Sequence, residues 1–168
     1  NHDRYFGVER FQAVMEKQGM RILRKQSLQV PGVPGLVLHG INDPPLKFPK
    51  EFPEIEELGK NLDPSKYNLL LTHRPEGFVE AARQGFQLSL AGHTHGGQVH
   101  VRLPFGVDLS PVRLLMPYDW GLFERQNSLL YVASGLGYAG PPIRIGCPPE
   151  IAIIEFVREG AGERARVG

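Results

Sequence analysis

Two imidazoles stand one residue apart in Gly92-His93-Thr94-His95, at the end of an apolar run and just ahead of Gly96-Gly97. Neutral imidazole is the commonest metal ligand among protein side chains, and a loop leaving a strand can aim both rings into one cleft. Two other segments have the same character. Asn1-His2-Asp3 sets an amide, an imidazole and a carboxylate in succession, and His73 follows the apolar run 67–71. An amide oxygen together with imidazole nitrogens suits a borderline divalent ion such as Mn, Fe or Zn. His2 beside Asp3 also suits a general acid with a carboxylate at hand to tune it. Taken singly, each histidine is more often an ordinary hydrogen-bonded residue. What argues for a site is that two of the three segments follow apolar strands. His39 and His100 have no such company and read as structural or solvent-facing.

The elements that must position these residues are legible from periodicity. Residues 67–71 (YNLLL) read as a short buried strand, and Pro75 suits the first turn of a helix running to Gln84 and closed by Gly85. Residues 86–91 form the next strand and deliver the two-histidine loop. This strand–helix–strand order is that of a βαβ unit, and ligands in open α/β sheets bind beyond the carboxyl ends of the strands. Upstream, 7–18 reads as a helix with Val8, Phe11, Val14 and Met15 on one face. Residues 20–23 read as a short strand pairing with 27–30, 35–40 as a better strand, and 52–62 as a helix with an acidic first turn. Downstream, 99–103, 121–124, 129–133 and 151–157 read as strands between Pro/Gly turns, and 158–168 as a charged, glycine-rich frayed tail.

Composition narrows the class. A chain of 168 residues with 41% hydrophobic content supports one domain with a real core. The net charge of +1 supplies no field that would favour nucleic acid or an anionic membrane. The lone Cys147 excludes an internal disulfide and reads as a small packed residue rather than a nucleophile. No apolar run approaches the roughly 20 residues that span a bilayer. Tyr118, Trp120, Phe123 and Leu114-Leu115-Met116 read as core beneath a long loop more than as a pocket lining. Arg113, Arg125 and Arg144 are candidate phosphate contacts, with Arg144 the best placed, and Asp43 reads as the cap of the Pro44-Pro45 turn. Ser134-Gly135 lacks the surroundings of a nucleophile elbow, which sets a serine hydrolase aside.

Asn1-His2-Asp3, then His73, then Gly92-His93-Thr94-His95, in that order and spacing, resemble the motifs of the calcineurin-like metallophosphoesterases. The string Gly92–Gln98 (GHTHGGQ), with Leu136-Gly137, Arg144 and Gly146–Glu150, resembles a bacterial branch of that family. The resemblance implies an α/β metallophosphatase-like sandwich of mixed sheets flanked by helices. It implies a metal-dependent phosphomono- or diesterase holding two divalent ions (Mn, Fe or Zn). Asn1, His73 and His93 would bind one ion, and His95 the other. His2 would protonate the leaving alkoxide, with Asp3 polarising it. The implied partner is a phosphoester substrate; a nuclease is a third possibility within the family, but the sequence shows no basic patch and no nucleic acid is expected. Some members of the branch associate with membrane or envelope, so localisation stays open between those and the cytoplasm.

The family also carries an Asp-x-His and a Gly-Asp motif upstream of the Asn-His segment, and neither precedes Asn1 here. The expectation is therefore a C-terminal part of one domain, 1–157, inactive alone and partnered by an N-terminal half. The alternative is a non-catalytic metal-binding or interaction module that shares the fold.

Overall fold

A computed structural model of the protein describes residues 2–45 and 51–157. Asn1 and the tail 158–168 lie outside the described residues. Four strands form a parallel core: β2 (Leu36–Gly40), β3 (Tyr67–Leu71), β4 (Leu88–Ala91) and β8 (Ser128–Val132). An antiparallel strand closes each side, β1 (Gln26–Gln29) on β2 and β7 (Gly121–Arg125) on β8, giving the order β1-β2-β3-β4-β8-β7. A separate two-stranded ribbon, β5 (Val101–Arg102) with β6 (Asp108–Leu109), stands on the excursion between β4 and β7. This mixed sheet with its helices is the α/β architecture the sequence implied.

Helix α1 (Asp3–Phe6) and helix α2 (Val8–Lys17) open the described chain, and α2 buries no residue, so the predicted apolar face is not packed as core. Helix α3 (Pro53–Gly59) links β2 to β3, and helix α4 (Phe78–Gln84) links β3 to β4. Both crossovers step the same way along the sheet, so right-handed connections put the two helices on one face. There Phe52, Ile55, Leu70, Ala81 and Phe86 form one core cluster, and Phe78, Ala82, Ala91, Leu130 and Val132 a second. Glu80 and Arg83 occupy the outer side of α4 and pair at 2.8 Å. Gly85 ends α4 in a left-handed conformation (φ +93°) that a side chain would resist, and its N–H caps the carbonyls of the last turn.

Two sequence readings are corrected. Residues 20–23 are not a strand, because β1 takes β2 as its antiparallel partner and Leu23 packs over the bare backbone of Gly40. Residues 151–157 keep strand-like alternation of exposure but lie in no ladder, and Ile151 and Ile153 stay exposed. His39 is structural, as expected. It is buried on the sheet, its Nε2–H donates to Asn68 Oδ1 at 3.0 Å, and its Nδ1 accepts from Ser27 Oγ at 2.8 Å. The assignment follows because the Asn68 amide nitrogen already donates to the Asp63 and Lys66 carbonyls, leaving only its oxygen to face the ring.

Candidate functional site

The register of the parallel strands decides what meets beyond their carboxyl ends. Gly40 pairs with Leu71, and Leu71 with Leu90. Three residues past each of these stand Asp43, Arg74 and His93, one from each loop, side by side. The Arg74 guanidinium is buried and bonds Asp43 Oδ1 through Nε at 2.8 Å. Its Nη1 lies 3.2 Å from His93 Nε2. Guanidinium only donates, so His93 Nε2 accepts, and the neutral ring carries its proton on Nδ1. That N–H points at His73 Nε2, 3.1 Å away. Asp43 is thus an ion-pair partner of Arg74. The pair has a signal in sequence, since each residue closes a strand–loop segment, but the signal needs the register to be read.

Burial, then the neighbouring charges of His93 and Arg74, pushes the His73 pKa down to about 4, with Asp43 opposing. Burial and Arg74 do the same for His93, to about 4. Burial and Arg144 lower His95 as well. Lone pairs on such rings are available at neutral pH without loss of a proton, which is what a metal ligand needs. Zinc–nitrogen bonds are about 2.1 Å, so two nitrogens sharing an ion lie at most about 4.2 Å apart. The separation of 3.1 Å between the two rings falls inside that limit. The donor pair therefore fits a divalent ion, on the condition that Arg74 turns away from His93 and the His93 proton moves from Nδ1 to Nε2. Among the described residues, no group of three His, Cys, Asp or Glu side chains is close enough to hold a metal.

The loop that carries His93 and His95 is strained. His93 (φ +70°), His95 (φ +52°) and Gln98 (φ +58°) all sit in the left-handed region alongside Gly96 and Gly97. Non-glycine residues there cost of the order of 1–3 kcal/mol each, and such strain collects at functional sites. The turn is clamped from behind. Thr94 Oγ1 accepts from Gly96 N at 3.2 Å and donates to Asp119 O. Arg144 donates to the carbonyls of Ser134 at 2.9 Å, Gly135 at 3.2 Å and His95 at 3.3 Å. Its guanidinium is consumed by backbone, so Arg144 is not a phosphate contact. Arg113 is bound to Asp119, and Arg125 closes the β7–β8 hairpin at the opposite end of the sheet. Cys147 is a packed residue, as expected, and lies against the same turn. Tyr118 and Phe123 pack on the core, whereas Leu114 and Leu115 are exposed.

A Cβ at Gly96 would collide with Cys147 Sγ and the Ser134 side chain, at a φ of +60°. Gly96→Ala is expected to lower the unfolding free energy by roughly 2–4 kcal/mol, combining left-handed strain with overpacking. Urea unfolding checks it, and a midpoint within error of wild type would refute the packing described.

His2, Asp3, His73, His93 and His95 all line one cleft of about 1410 Å³, whose far wall includes Phe11 and Phe52. His2 and Asp3 are exposed at its rim. Asn1 lies outside the described residues. The structure brings His73 and His93 into contact and sets His95 apart, toward Gly137.

The lowered histidine pKa values set an acid limit for the metal-free protein. Above the ordinary histidine value of 6.5 both folded and unfolded chains are neutral at His39, His73 and His93, and these groups contribute nothing to a pH dependence. Below it the unfolded chain takes up protons that the folded chain refuses. Stability is expected to fall as pH drops from 6.5 and the loss at His73 and His93 to level off below about 4. Urea midpoints measured across that window check the sign; a midpoint that rises on acidification contradicts it.

No family model matches the chain, and no solved structure matches it. Curated relatives do. An uncharacterized metallophosphoesterase of Aquifex aeolicus is 32% identical over 95% of this chain and 59% of its own length. One from Campylobacter jejuni is 32% identical over 93% of this chain and 40% of its own. One from Bacillus subtilis is 29% identical over 90% of this chain and 56% of its own. The chain thus spans about half the length of the curated relatives it matches. No helix among the described residues is long and apolar enough to cross a membrane.

Proposed function

Because this chain belongs to the metallophosphoesterases, we propose that its histidine cleft is part of a metal-dependent phosphoester-hydrolysing centre. The observation that carries the reading is the pair of desolvated, neutral imidazoles of His73 and His93, 3.1 Å apart at the carboxyl ends of adjacent parallel strands. His73 and His93, with Asn1, would hold one divalent ion (Mn, Fe or Zn), and His95 would serve a second. Such ions, when bound, polarise phosphoryl oxygens and acidify a water for in-line attack.

The rest is the work of this chain's own residues. His2, exposed on the rim of the cleft, is the proposed general acid, delivering a ring proton to the departing alkoxide, with Asp3 beside it to steady the imidazolium. Arg74, released from His93, keeps its buried pairing with Asp43, a carboxylate that lines the cleft, and so offsets that negative charge beside an anionic phosphoester. Phosphomono- and diesters are both within this chemistry.

Hydrolysis of bis-p-nitrophenyl phosphate and p-nitrophenyl phosphate by the whole protein, with and without Mn²⁺, tests the reading. Turnover that needs the metal and His2 is expected; turnover indifferent to both would sink it. A second reading, a module that binds metal without turnover, rests on His73 and His93 standing in contact while His95 is set apart toward Gly137. It predicts that calorimetry finds binding at His73 and His93 while the same assay finds no hydrolysis.

A further inference from the structure

Behind the His95 turn lies a four-membered charge cluster that the proposed chemistry does not use. His100 is buried, with Nδ1 at 3.0 and 3.1 Å from the two carboxylate oxygens of Asp108 and Nε2 at 2.7 Å from the carbonyl of Gly96. A carbonyl can only accept, so Nε2 carries a proton. The Asp108 carboxylate, held below its ordinary range by its hydrogen bond to His100, is ionised and can only accept, so Nδ1 carries one too. Both ring nitrogens donate, and the ring is an imidazolium. The charges around it agree. Asp119, fully buried, stands 3.5 Å from Nε2 and is itself bound by Arg113 at 3.0 Å and by the backbone N–H of Trp120. Two carboxylates face two cations, and the cluster is neutral as a whole.

The position of the donated bond gives the ring its use. Gly96 O and His95 O are consecutive carbonyls of the left-handed turn, and each meets a cation: Gly96 O accepts from His100, and His95 O from Arg144. The His100 backbone is tied down in turn, its N–H donating to Ile145 O at 2.8 Å, with the chain at Gly146 (φ +64°) passing so close that a Cβ there would strike the His100 carbonyl. We propose that His100 is held as a doubly donating cation between Asp108 and Gly96 and is the positioning residue that fixes the His95 turn. Its effect on metal uptake rests on the reading of His95 given above; its charge and its hold on the turn do not.

Ring nitrogen NMR on the intact chain tests the charge. Both His100 nitrogens should resonate as protonated at neutral pH, and a neutral tautomer would overturn the proposal. Amide exchange tests the hold. His100→Gln keeps one donor but not the cation, and the Gly97 and Gln98 amides should exchange about 10-fold faster while those of β3 and β4 are unmoved. Exchange unchanged in a folded variant overturns the positioning role. Should His100→Gln fail to fold, Asp108→Asn, at a half-exposed position, should return His100 to a neutral ring and loosen the same two amides. A charged ring and rigid turn in that variant would overturn the assignment. Zn²⁺ titration supplies the third readout, with an affinity loss of about 10-fold in His100→Gln expected of a group acting behind a ligand. If the unaltered chain binds no Zn²⁺, the metal reading fails, and the nitrogen shifts and exchange rates still decide this one.

Discussion

Replacing His93 with alanine should cost the whole protein more than about 100-fold in metal-dependent phosphoester hydrolysis, since even partners behind metal ligands cost about 10–100-fold. His93 is the residue on which the site converges. It accepts from Arg74 at 3.2 Å, donates to His73 at 3.1 Å, and adopts a left-handed backbone. The variant keeps the β4 ladder and the Arg74–Asp43 pair, so thermal unfolding should register far less change than activity does. Arg125→Ala, at the opposite end of the sheet, should leave turnover at the wild-type level. Hydrolysis by the His93 variant within about 3-fold of wild type would remove this residue from the metal set.

Asp119→Ala should lower the unfolding free energy by about 3–5 kcal/mol, the usual cost of breaking a buried ion pair from one side. The carboxylate has no exposed surface, and it answers Arg113, the Trp120 N–H and the His100 ring together. Arg113 is 42% exposed and can turn to water, but His100 cannot, and it is left beside a vacated anion site. Chemical denaturation with the slope held fixed measures the loss. A change below about 1 kcal/mol would mean that the cluster is solvated, contrary to the packing described.

The parallel core was readable because its signals are local. Tyr67–Leu71 is apolar but for Asn68, Pro75 and Gly85 bracket a helix, and the strand after them runs into Gly92-His93. That sufficed to send His73 and the two-histidine loop to one edge of a sheet. What could not be read was register. Asp43, Arg74 and His93 become neighbours only because Gly40, Leu71 and Leu90 are aligned, and no spacing along the chain encodes that alignment. His100 is structural, as one of its two readings had it, but its partners were hidden for a related reason. It stands alone in sequence, and its partners Asp108, Asp119 and Gly96 arrive from three other segments. Arg144 looked like an anion contact because it is set among Gly and Pro, yet the carbonyls of Ser134, Gly135 and His95 come within its reach and backbone takes the guanidinium first. Residues 20–23 and 151–157 show the limit of periodicity, since alternation marks a segment able to pair and not whether an edge is available.

The pairing of β4 with β8 also sets an order in time. His73 and His93 belong to one compact β3–α4–β4 crossover, which closes over a short stretch of chain. The His95 turn lies further into the excursion 92–127 that opens on His93, and its Arg144 anchor requires β8 to dock beside β4 and residues 144–146 to return across Gln98 and His100. Distant parallel pairings carry the larger loop-closure entropy and form late. On refolding, the crossover that carries His73 and presents His93 at the end of β4 is therefore expected to close before Arg144 reaches the His95 carbonyl, an order that pulse-labelled amide exchange of β3 and of the 96–98 turn would check.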